Sequence, residues 1–439
     1  MTIEEIFNMV RDEKIQFIHL QFSDINGTLK NVEIPSQEIK RAFESGIMFD
    51  GSSIEGFARI EESDMFLKPD PETFAILPWS TNGIKSARVI CDIYKPNGEP
   101  FEGDPRYRLK LVVNKARSLG FEIFAGPEIE FFVLPRDNNG FPVAQLLDHG
   151  SYFDLLSLNK VESLRSEVAV ALKMMGIDVE ASHHEVAPSQ HEVDFRYSKL
   201  VRAADNTQTV KLVIKTLAVR HGLCASFMPK PFFNINGSGM HTHLSLFHNG
   251  TNAFFNPDDS QDLSDTLLHF VGGILTHARE ITAVTNPTVN SYKRLVPGYE
   301  APVNVAWSMG NRSSLVRIPM VRGNGTRIEY RAPDPSCNAY LAFAVIVAAG
   351  LKGIEEKVQV PQPVEQNIYS LNESTKGQLG IQTLPCSLKE ALDLMKRSDF
   401  VRDVLGEHIF KKFLDLKRRE WREYSIHVTD WEVHKYIDV

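Results

Sequence analysis

One stretch of the chain, residues 126–132, reads Gly-Pro-Glu-Ile-Glu-Phe-Phe. Because residues two apart on a strand share a face, Glu128 and Glu130 point the same way, while Ile129 and Phe131 point into apolar packing. Two half-buried carboxylates repel each other and lose solvation, so they favour a bound cation. An edge strand with a solvated acidic face would give the same pattern, and this stretch alone supports both interpretations equally.

A second acidic pair lies in residues 183–192, which read His-His-Glu-Val-Ala-Pro-Ser-Gln-His-Glu. Pro188 interrupts any helix, so the segment is predicted to be a loop or a strand–loop–strand. The spacing is not H-E-x-x-H, which excludes the zinc-protease pattern. Glu185 and Glu192 supply oxygen ligands that suit hard cations such as Mg²⁺ or Mn²⁺. A histidine-rich surface loop is the alternative interpretation.

A glycine-rich turn precedes a third candidate, residues 236–245, which read Asn-Gly-Ser-Gly-Met-His-Thr-His-Leu-Ser. Glycines allow the backbone to approach a ligand closely. On the strand that follows, His241, His243 and Ser245 share one face. A single histidine is more often structural than a metal ligand, but two on one face after this turn favour a ligand site.

Basic residues gather between positions 293 and 331: Lys293, Arg294, Arg312, Arg317, Arg322, Arg327 and Arg331. Arginine suits bidentate recognition of carboxylate and phosphate, although each arginine alone is more simply explained by an ion pair. Together with the carboxylates, the cluster predicts a site for a metal–nucleotide complex and an acidic substrate. The chain has neither a P-loop nor the protein-kinase motifs, so the nucleotide site belongs to another class.

The composition is that of a globular enzyme. The chain has 439 residues, 43% hydrophobic and 24% charged, with a formal net charge of −8. The acidic balance argues against a protein that binds nucleic acid directly, and the 10% aromatic content excludes general disorder. At about 150 residues per domain, the length predicts two or three domains.

Targeting signals are not visible in the sequence. The four cysteines, Cys91, Cys224, Cys337 and Cys386, are scattered, which predicts free buried thiols in a reducing compartment. The N-terminus reads as an amphipathic helix rather than a signal peptide. The longest apolar run, Leu341 to Leu351, is shorter than the ~20 residues that cross a bilayer. We therefore expect a cytoplasmic protein with no membrane role.

The elements divide the chain into a small β-rich domain, residues 1–103, and a large α+β domain, residues 104–439. In the first, strands are predicted at 16–22, 29–34 and 86–94, with Asn26-Gly27 as a hairpin turn. A Pro/Gly-rich stretch precedes Asp104-Pro105, which read as the N-cap and first residue of a helix. Helices are predicted around 160–175, 201–221, 263–283, 338–356 and 387–405, and strands at 122–134, 240–247 and 326–332.

Taken in order, these motifs resemble type I glutamine synthetase over essentially the full length. The matching segments are residues 50–53 (Asp-Gly-Ser-Ser), 126–132, 183–185, 236–241, 293–300, 311–313 and 327–331. The resemblance implies an α+β fold with a β-grasp N-terminal domain and a catalytic domain whose curved antiparallel sheet is flanked by helices. It also implies a homo-dodecamer of two hexameric rings, with active sites between neighbouring subunits and a C-terminal segment that embraces the opposite ring.

The resemblance also assigns roles to residues. One Mg²⁺ (or Mn²⁺) would be held by Glu130, Glu185 and Glu192, and another by Glu128, His241 and Glu329. The implied nucleotide contacts are Glu180, His243, Ser245, Arg312, Arg317 and Arg327, and the implied glutamate contacts are Asn236, Gly237, Arg294, Glu300 and Arg331. ATP would phosphorylate the γ-carboxylate of L-glutamate with Arg312 neutralising charge, and ammonia would displace the phosphate. Asp50 would deprotonate ammonium, and Glu300 would shield the intermediate from water.

The chain looks like the shorter, feedback-inhibited branch of the family. Arg59 fits the place of an arginine that mediates glutamine feedback, and the surroundings of Tyr369 do not match an adenylylation site. The resemblance also suggests a nitrogen-responsive repressor of the MerR type as a partner, which no local motif supports. A γ-glutamyl–amine ligase that uses another amine is the second hypothesis, and a catalytically inactive homologue is the third. The intact Asp50 favours ammonium, and the six candidate metal ligands argue against an inactive protein.

Overall fold

The computed structural model describes residues 1–54, 56, 64–80, 82–155 and 160–439. The predicted feedback residue Arg59 lies outside these ranges. Two sheets, each with its own apolar cluster, organise the described chain.

The N-terminal sheet has a parallel pair of strands at its centre. Its strands are β1 (Phe17–Ser23), β2 (Leu29–Pro35), β3 (Ile47–Asp50), β4 (Asp64–Pro69), β5 (Ala75–Ile76) and β6 (Ser86–Tyr94), and its helices are α1 (Ile3–Asp12) and α2 (Ile39–Ser45). The order is β2-β1-β6-β4-β3, with β5 against β6. As predicted, β1 and β2 form an antiparallel hairpin, whereas β1 and β6 run parallel.

The large sheet is centred on β7 (Glu122–Pro135), so the edge-strand interpretation of residues 126–132 is wrong. The other strands of this part are β8 (Val179–His184), β9 (Gln190–Phe195), β10 (Ser198–Lys199), β11 (Leu223–Ser226), β12 (Thr242–His248), β13 (Thr251–Asn252), β14 (Asn304–Val305), β15 (Trp307–Ser308), β16 (Val316–Arg317), β17 (Ile328–Tyr330) and β18 (Gln382–Thr383). The order is β15-β16-β17-β12-β7-β9-β8, and all neighbours except β15 and β16 are antiparallel. β10 and β11 also pair with β7, β13 pairs with β12, and β14 and β18 form a separate pair.

The remaining helices belong to the part of the chain that forms the large sheet. They are α3 (Pro105–Ser118), α4 (Lys160–Met174), α5 (Leu200–Arg220), α6 (Asp265–Thr285), α7 (Ser291–Arg294), α8 (Ala339–Glu356), α9 (Glu373–Gln378), α10 (Leu388–Arg397), α11 (Asp399–Ser425) and α12 (Asp430–Tyr436). α6 and α8 approach closely because glycines face each other: a Cβ at Gly273 would lie 2.2 Å from Ala349 O. The fold is therefore α+β, as predicted.

Most predicted elements are present, with two corrections. The helix predicted at 387–405 is two helices, because Ser398 is non-helical and its side chain accepts from Val401 N to begin α11. Of the four cysteines predicted to be buried, Cys91 and Cys337 are buried, but Cys224 is only partly buried and Cys386 is exposed. Within the described ranges, no helix combines the length and apolar composition that a membrane crossing requires.

A buried ion-pair network joins the two sheets. Asp104 caps α3 as predicted, and Arg106 in the first turn reaches three carboxylates. Its guanidinium donates to Asp70 and Asp92 at 2.7 Å and to Asp205 on α5 at 2.9 Å. Because Arg106 and Asp205 are both buried, this network ties the N-terminal sheet to α3 and α5, two helices that contact β7 of the large sheet.

Candidate active site

Two adjoining cavities lie on the polar face of the large sheet. The first, of about 390 Å³, is lined by the carboxylates of β7 and β9 together with four arginines. The second, of about 350 Å³, lies beside the turn that precedes β17. Glu128 and Asp194 line both cavities, which therefore adjoin at these two residues and together form a two-cavity cleft.

The first group of ligand atoms comes from three strands or their ends. The side chains of Glu128, His241 and Glu329 each offer one atom, and these atoms lie within 4.8 Å of one another. His241 Nδ1 lies 3.3 Å from Glu128 Oε2 and 3.6 Å from Glu329 Oε1. The set was implied by the resemblance, and the pairing of β12 with both β7 and β17 brings it together.

The second group centres on Glu192. Its carboxylate forms one close set with Glu130 and His241, and another with Glu185 and His183. Glu130 and Glu192 are directly opposite each other on β7 and β9. Glu130 Oε2 also accepts hydrogen bonds from Gly239 N at 2.9 Å and Gln190 Nε2 at 3.0 Å. The predicted trio of Glu130, Glu185 and Glu192 therefore lines one wall of the same cavity.

The crowding of these carboxylates perturbs their protonation. Burial and repulsion by Glu130 raise the pKa of Glu185 to about 8 and that of Glu192 to about 12. Burial and repulsion by Glu128 raise the pKa of Asp194 to about 7. A divalent cation among these oxygens would offset both effects, so the donor set fits a hard metal ion.

Two glycines make room in the turn before β12. A Cβ at Gly239 would lie 2.7 Å from Arg294 Nη2, and a Cβ at Gly237 would lie 2.3 Å from Pro229 O. The glycines therefore allow the turn to pack directly against Arg294. Arg294 itself is buried and donates to Ala332 O at 2.7 Å.

The arginines of β16 and β17 converge on the same cavity. Arg317 Nε is hydrogen-bonded to Glu329 Oε2, and Arg331 Nε lies 3.3 Å from Glu329 Oε1. Burial acts to raise the pKa of Glu329, but Arg331 and the neighbouring histidines lower it. Arg312 also lines the cavity and is hydrogen-bonded to Tyr152. Arg312 and Arg317 thus lie on the carboxylate side of the cleft.

The second cavity collects most of the residues expected to contact a nucleotide. Glu180, His243, Ser245 and Arg327 line it, together with Asn324 and Gly325. Arg327 Nε donates to His243 Nδ1 at 3.1 Å, and its Nη1 donates to Gly325 O at 3.2 Å. The turn Gly323–Gly325 therefore forms part of this wall.

Of the two predicted acid–base residues, Glu300 lines the cleft and Asp50 does not. Glu300 lines the first cavity, and Asn236 Nδ2 donates to its Oε2 at 3.3 Å. Its backbone has φ of +62°, a strained conformation for a residue with a side chain. Asp50 ends β3 in the N-terminal sheet, is exposed, and is absent from the described linings of both cavities.

Sequence reasoning missed several residues that line the cleft. Asp194 follows Glu192 by two positions, so the period of the strand could have identified it. Tyr152 and Gln190 reach the cleft through tertiary contacts that periodicity does not predict.

Two family models match the chain. "Glutamine synthetase, catalytic domain" matches residues 102–436, and "Glutamine synthetase, beta-Grasp domain" matches residues 14–96. The chain belongs to the glutamine synthetase family. Glutamine synthetase of Thermotoga maritima is 61% identical over 437 residues, covering 100% of both chains. Glutamine synthetase of Methanosarcina mazei is 51% identical over 438 residues, covering 100% of this chain and 98% of the relative.

Solved structures of the glutamine synthetase fold superpose on nearly the whole chain. A GmaS/ADP complex has a TM-score of 0.89 at 31% identity, and Plasmodium falciparum glutamine synthetase has a TM-score of 0.88 at 27% identity. Each comparison covers 99% of both chains. The predicted type I glutamine synthetase resemblance and its β-grasp-plus-catalytic fold are confirmed.

Proposed function

We propose that the two-cavity cleft is where this chain joins ammonia to the γ-carboxylate of L-glutamate and converts ATP to ADP and phosphate. The chain is a glutamate–ammonia ligase, because it matches the family's catalytic domain and its named relatives over their full length. The observation that supports the location is the set of crowded carboxylates in one cavity, beside a second cavity lined by Arg327 and His243.

We assign the crowded oxygens to divalent cations, two or more per site, as Mg²⁺ or Mn²⁺. Glu128, His241 and Glu329 would hold one, and Glu130, Glu185 and Glu192 the other. When bound, these ions neutralise charge on the phosphates and on the reacting carboxylate. The raised pKa values of Glu185 and Asp194 support the assignment, since carboxylates in this arrangement are stable as anions only beside positive charge.

Glutamate would bind at the first cavity. Arg331 and Arg294 supply positive charge, and Asn236 and Gly237 line the wall beside them. Arg312 projects into the same space, where it can neutralise the phosphate as it moves to the γ-carboxylate. ATP would occupy the second cavity against Glu180, His243, Ser245 and Arg327, with Arg317 at the junction near Glu329.

Activation is required because a carboxylate is a poor electrophile and ammonium has no free electron pair. Phosphorylation of the γ-carboxylate breaks the bond between the β- and γ-phosphates of ATP and forms an acyl phosphate. Asp50, contributed by a neighbouring copy, would take a proton from ammonium, and ammonia would then displace the phosphate. Glu300 would close the cavity against water, which its strained backbone and hydrogen bond from Asn236 support.

Assembly and regulation complete the proposal. We propose domains at 1–103 and 104–439, and a homo-dodecamer of two rings, since Asp50 lies outside the chain's own cleft. The exposed apolar residues of the C-terminal segment, including Trp431 and Ile437, support its role in contacts between rings. Arg59 as the feedback residue, the absence of adenylylation, a MerR-type repressor as partner and a cytoplasmic location all remain proposals.

The amine specificity is the part that a direct assay decides. An amine other than ammonium is the second candidate substrate. Phosphate release from ATP should be measured with glutamate and Mg²⁺, adding ammonium or alkylamines in parallel. We expect stimulation by ammonium, because a carboxylate at Asp50 favours a substrate that arrives as a small cation. Stimulation by an alkylamine and not by ammonium would contradict the proposal.

A further inference from the structure

A cluster of polar residues lies where the segment between β7 and α4 meets the β8–β9 turn. We call Asp148, His184, Ser189 and His191 the support cluster. Asp148 Oδ1 accepts from Ser189 N at 2.8 Å and lies 3.2 Å from His184 Nε2. In return, Ser189 Oγ accepts from Leu147 N at 2.6 Å. The segment before α4 and the β8–β9 turn are therefore locked together by reciprocal hydrogen bonds.

The locked turn is strained. Ser189 is fully buried and has φ of +64°, which a residue with a Cβ rarely adopts. Such a conformation persists only where surrounding contacts impose it. The contacts here are those with Leu147 and Asp148, and the strained residue lies between Glu185 and Glu192 in the sequence.

The cluster resembles a third metal site by composition, because ligand atoms of Asp148, His184 and His191 lie within 4.8 Å of one another. The hydrogen bonds argue against that interpretation. Arg165 Nη1, which can only donate, lies 2.8 Å from His191 Nδ1, so the ring proton of His191 is on Nε2 and blocks ligation there. Arg165 also adds positive charge beside His184 and His191, which disfavours a cation there.

We propose that Asp148 and Ser189 are positioning residues that fix the distance between Glu185 and Glu192 for cation binding. The backbone carbonyl of Glu185 is bound by His184, and His184 is oriented by Asp148. Glu192 follows the strained turn, on β9, and Glu185 precedes it. The hydrogen bonds that hold the turn therefore also hold the two carboxylates at a fixed separation. The inference rests on the proposed function for the cation role of Glu185 and Glu192. Partners that orient metal ligands contribute roughly 10- to 100-fold to metal affinity.

The test measures Mn²⁺ binding directly, by the electron paramagnetic resonance signal of free Mn²⁺, without turnover. Asp148→Ala and Ser189→Ala are each expected to weaken Mn²⁺ binding by roughly 10-fold or more. Asp148→Asn keeps an acceptor for Ser189 N and should lose less. The matched control is Asp137→Asn, because Asp137 lies in the same segment between β7 and α4 but is exposed. Its side chain accepts hydrogen bonds only within its own loop, from Asn139 N and Phe141 N.

The outcomes separate the inference from the function on which it rests. Normal Mn²⁺ binding in both alanine variants, with binding lost in Glu192→Gln, would overturn the positioning role and leave the proposed function intact. Normal binding in Glu192→Gln would overturn the ligand assignment itself. A tightly bound third metal in the wild type that Asp148→Ala loses would also overturn the inference. If Asp148→Ala fails to fold, Ser189→Ala and Asp148→Asn decide by the same criterion.

Discussion

His243 Nε2 lies 2.6 Å from Glu128 Oε1, across the boundary between the two cavities. Because Arg327 donates to the other ring nitrogen, His243 carries its proton on Nε2 and donates it to the carboxylate. Burial acts to raise the pKa of Glu128, but His241 and His243 hold it well below its usual range. One imidazole therefore connects a metal ligand with the wall of the nucleotide cavity.

Replacing that imidazole should weaken ATP binding selectively. For His243→Ala we expect the KM for ATP to rise roughly 10- to 100-fold, since a hydrogen bond to a charged group contributes about 1.5–3 kcal/mol. The KM for glutamate should change much less, because His243 does not line the first cavity. Initial rates at varied ATP and varied glutamate measure both values. His248→Ala, at the exposed end of the same strand, is the control; equal effects from the two variants would refute this role.

Glu130 should be essential for turnover but not for folding. Glu130→Ala removes a carboxylate that faces the cation site, and we expect kcat to fall by at least about 10²-fold. The size of the assembly, measured by light scattering, should not change. Glu122→Ala, at the exposed start of the same strand, should retain activity. Full activity in Glu130→Ala would remove that residue from the metal site.

Glu300 should control how tightly phosphate release is coupled to glutamine formation, rather than the phosphorylation of glutamate itself. Glu300→Gly removes the carboxylate and relieves the positive φ, so the free energy of unfolding should stay equal or rise by up to about 1 kcal/mol. Water should then reach the acyl phosphate, so phosphate release should exceed glutamine formation. Parallel assays of the two products measure the ratio. A variant that still forms one glutamine for each phosphate would show that Glu300 does not shield the intermediate.

The metal-free protein should lose stability as the pH rises. A carboxylate whose folded pKa exceeds its unfolded value, about 3.9 for Asp and about 4.3 for Glu, keeps more protons in the folded state, so stability falls as the pH rises from the unfolded to the folded value. For Asp194 and Glu185 that interval extends to about 7 and about 8. In chelator, Tm should therefore fall from pH 5 to pH 8, and Mg²⁺ should raise Tm more at pH 8 than at pH 6. A rise in Tm on adding Mg²⁺ that is the same at pH 6 and pH 8 would contradict the claim that crowding raises the pKa values of these carboxylates.

The junction between the sheets should depend on Arg106. Arg106→Leu leaves Asp205 buried without its ion-pair partner, which should cost about 3–5 kcal/mol of unfolding free energy. Denaturant unfolding measures this loss. Arg117→Leu, an exposed position on the same helix, should change stability little. A small effect of Arg106→Leu would mean that other contacts hold the N-terminal sheet in place.

Local patterns predicted the parts of the fold that depend on neighbouring residues. Asp104-Pro105 identified the start of α3, and Ser86–Tyr94 has the predicted bounds, because capping and strand periodicity act over a few positions. Ser398 was missed, since two consecutive amphipathic helices have nearly the same periodicity as one.

The sequence patterns pointed to the carboxylates of the candidate site but not to the support cluster. Glu128 and Glu130 were identified because strand alternation exposes paired acids in an apolar stretch. Asp148 was not, because it lies in a loop and reaches Ser189 across 41 residues. Such contacts depend on how β8 and β9 pack, which no local pattern encodes.

The route of oxygen tests the central claim most directly. Glutamate labelled with ¹⁸O in its γ-carboxylate should be incubated with the protein, ATP, Mg²⁺ and ammonium, and the released phosphate analysed by mass spectrometry. If the γ-carboxylate is phosphorylated and then displaced by ammonia, each phosphate released with glutamine carries one labelled oxygen from glutamate. Unlabelled phosphate accompanying labelled glutamine would contradict the account, because ATP would then have been hydrolysed without activating the substrate.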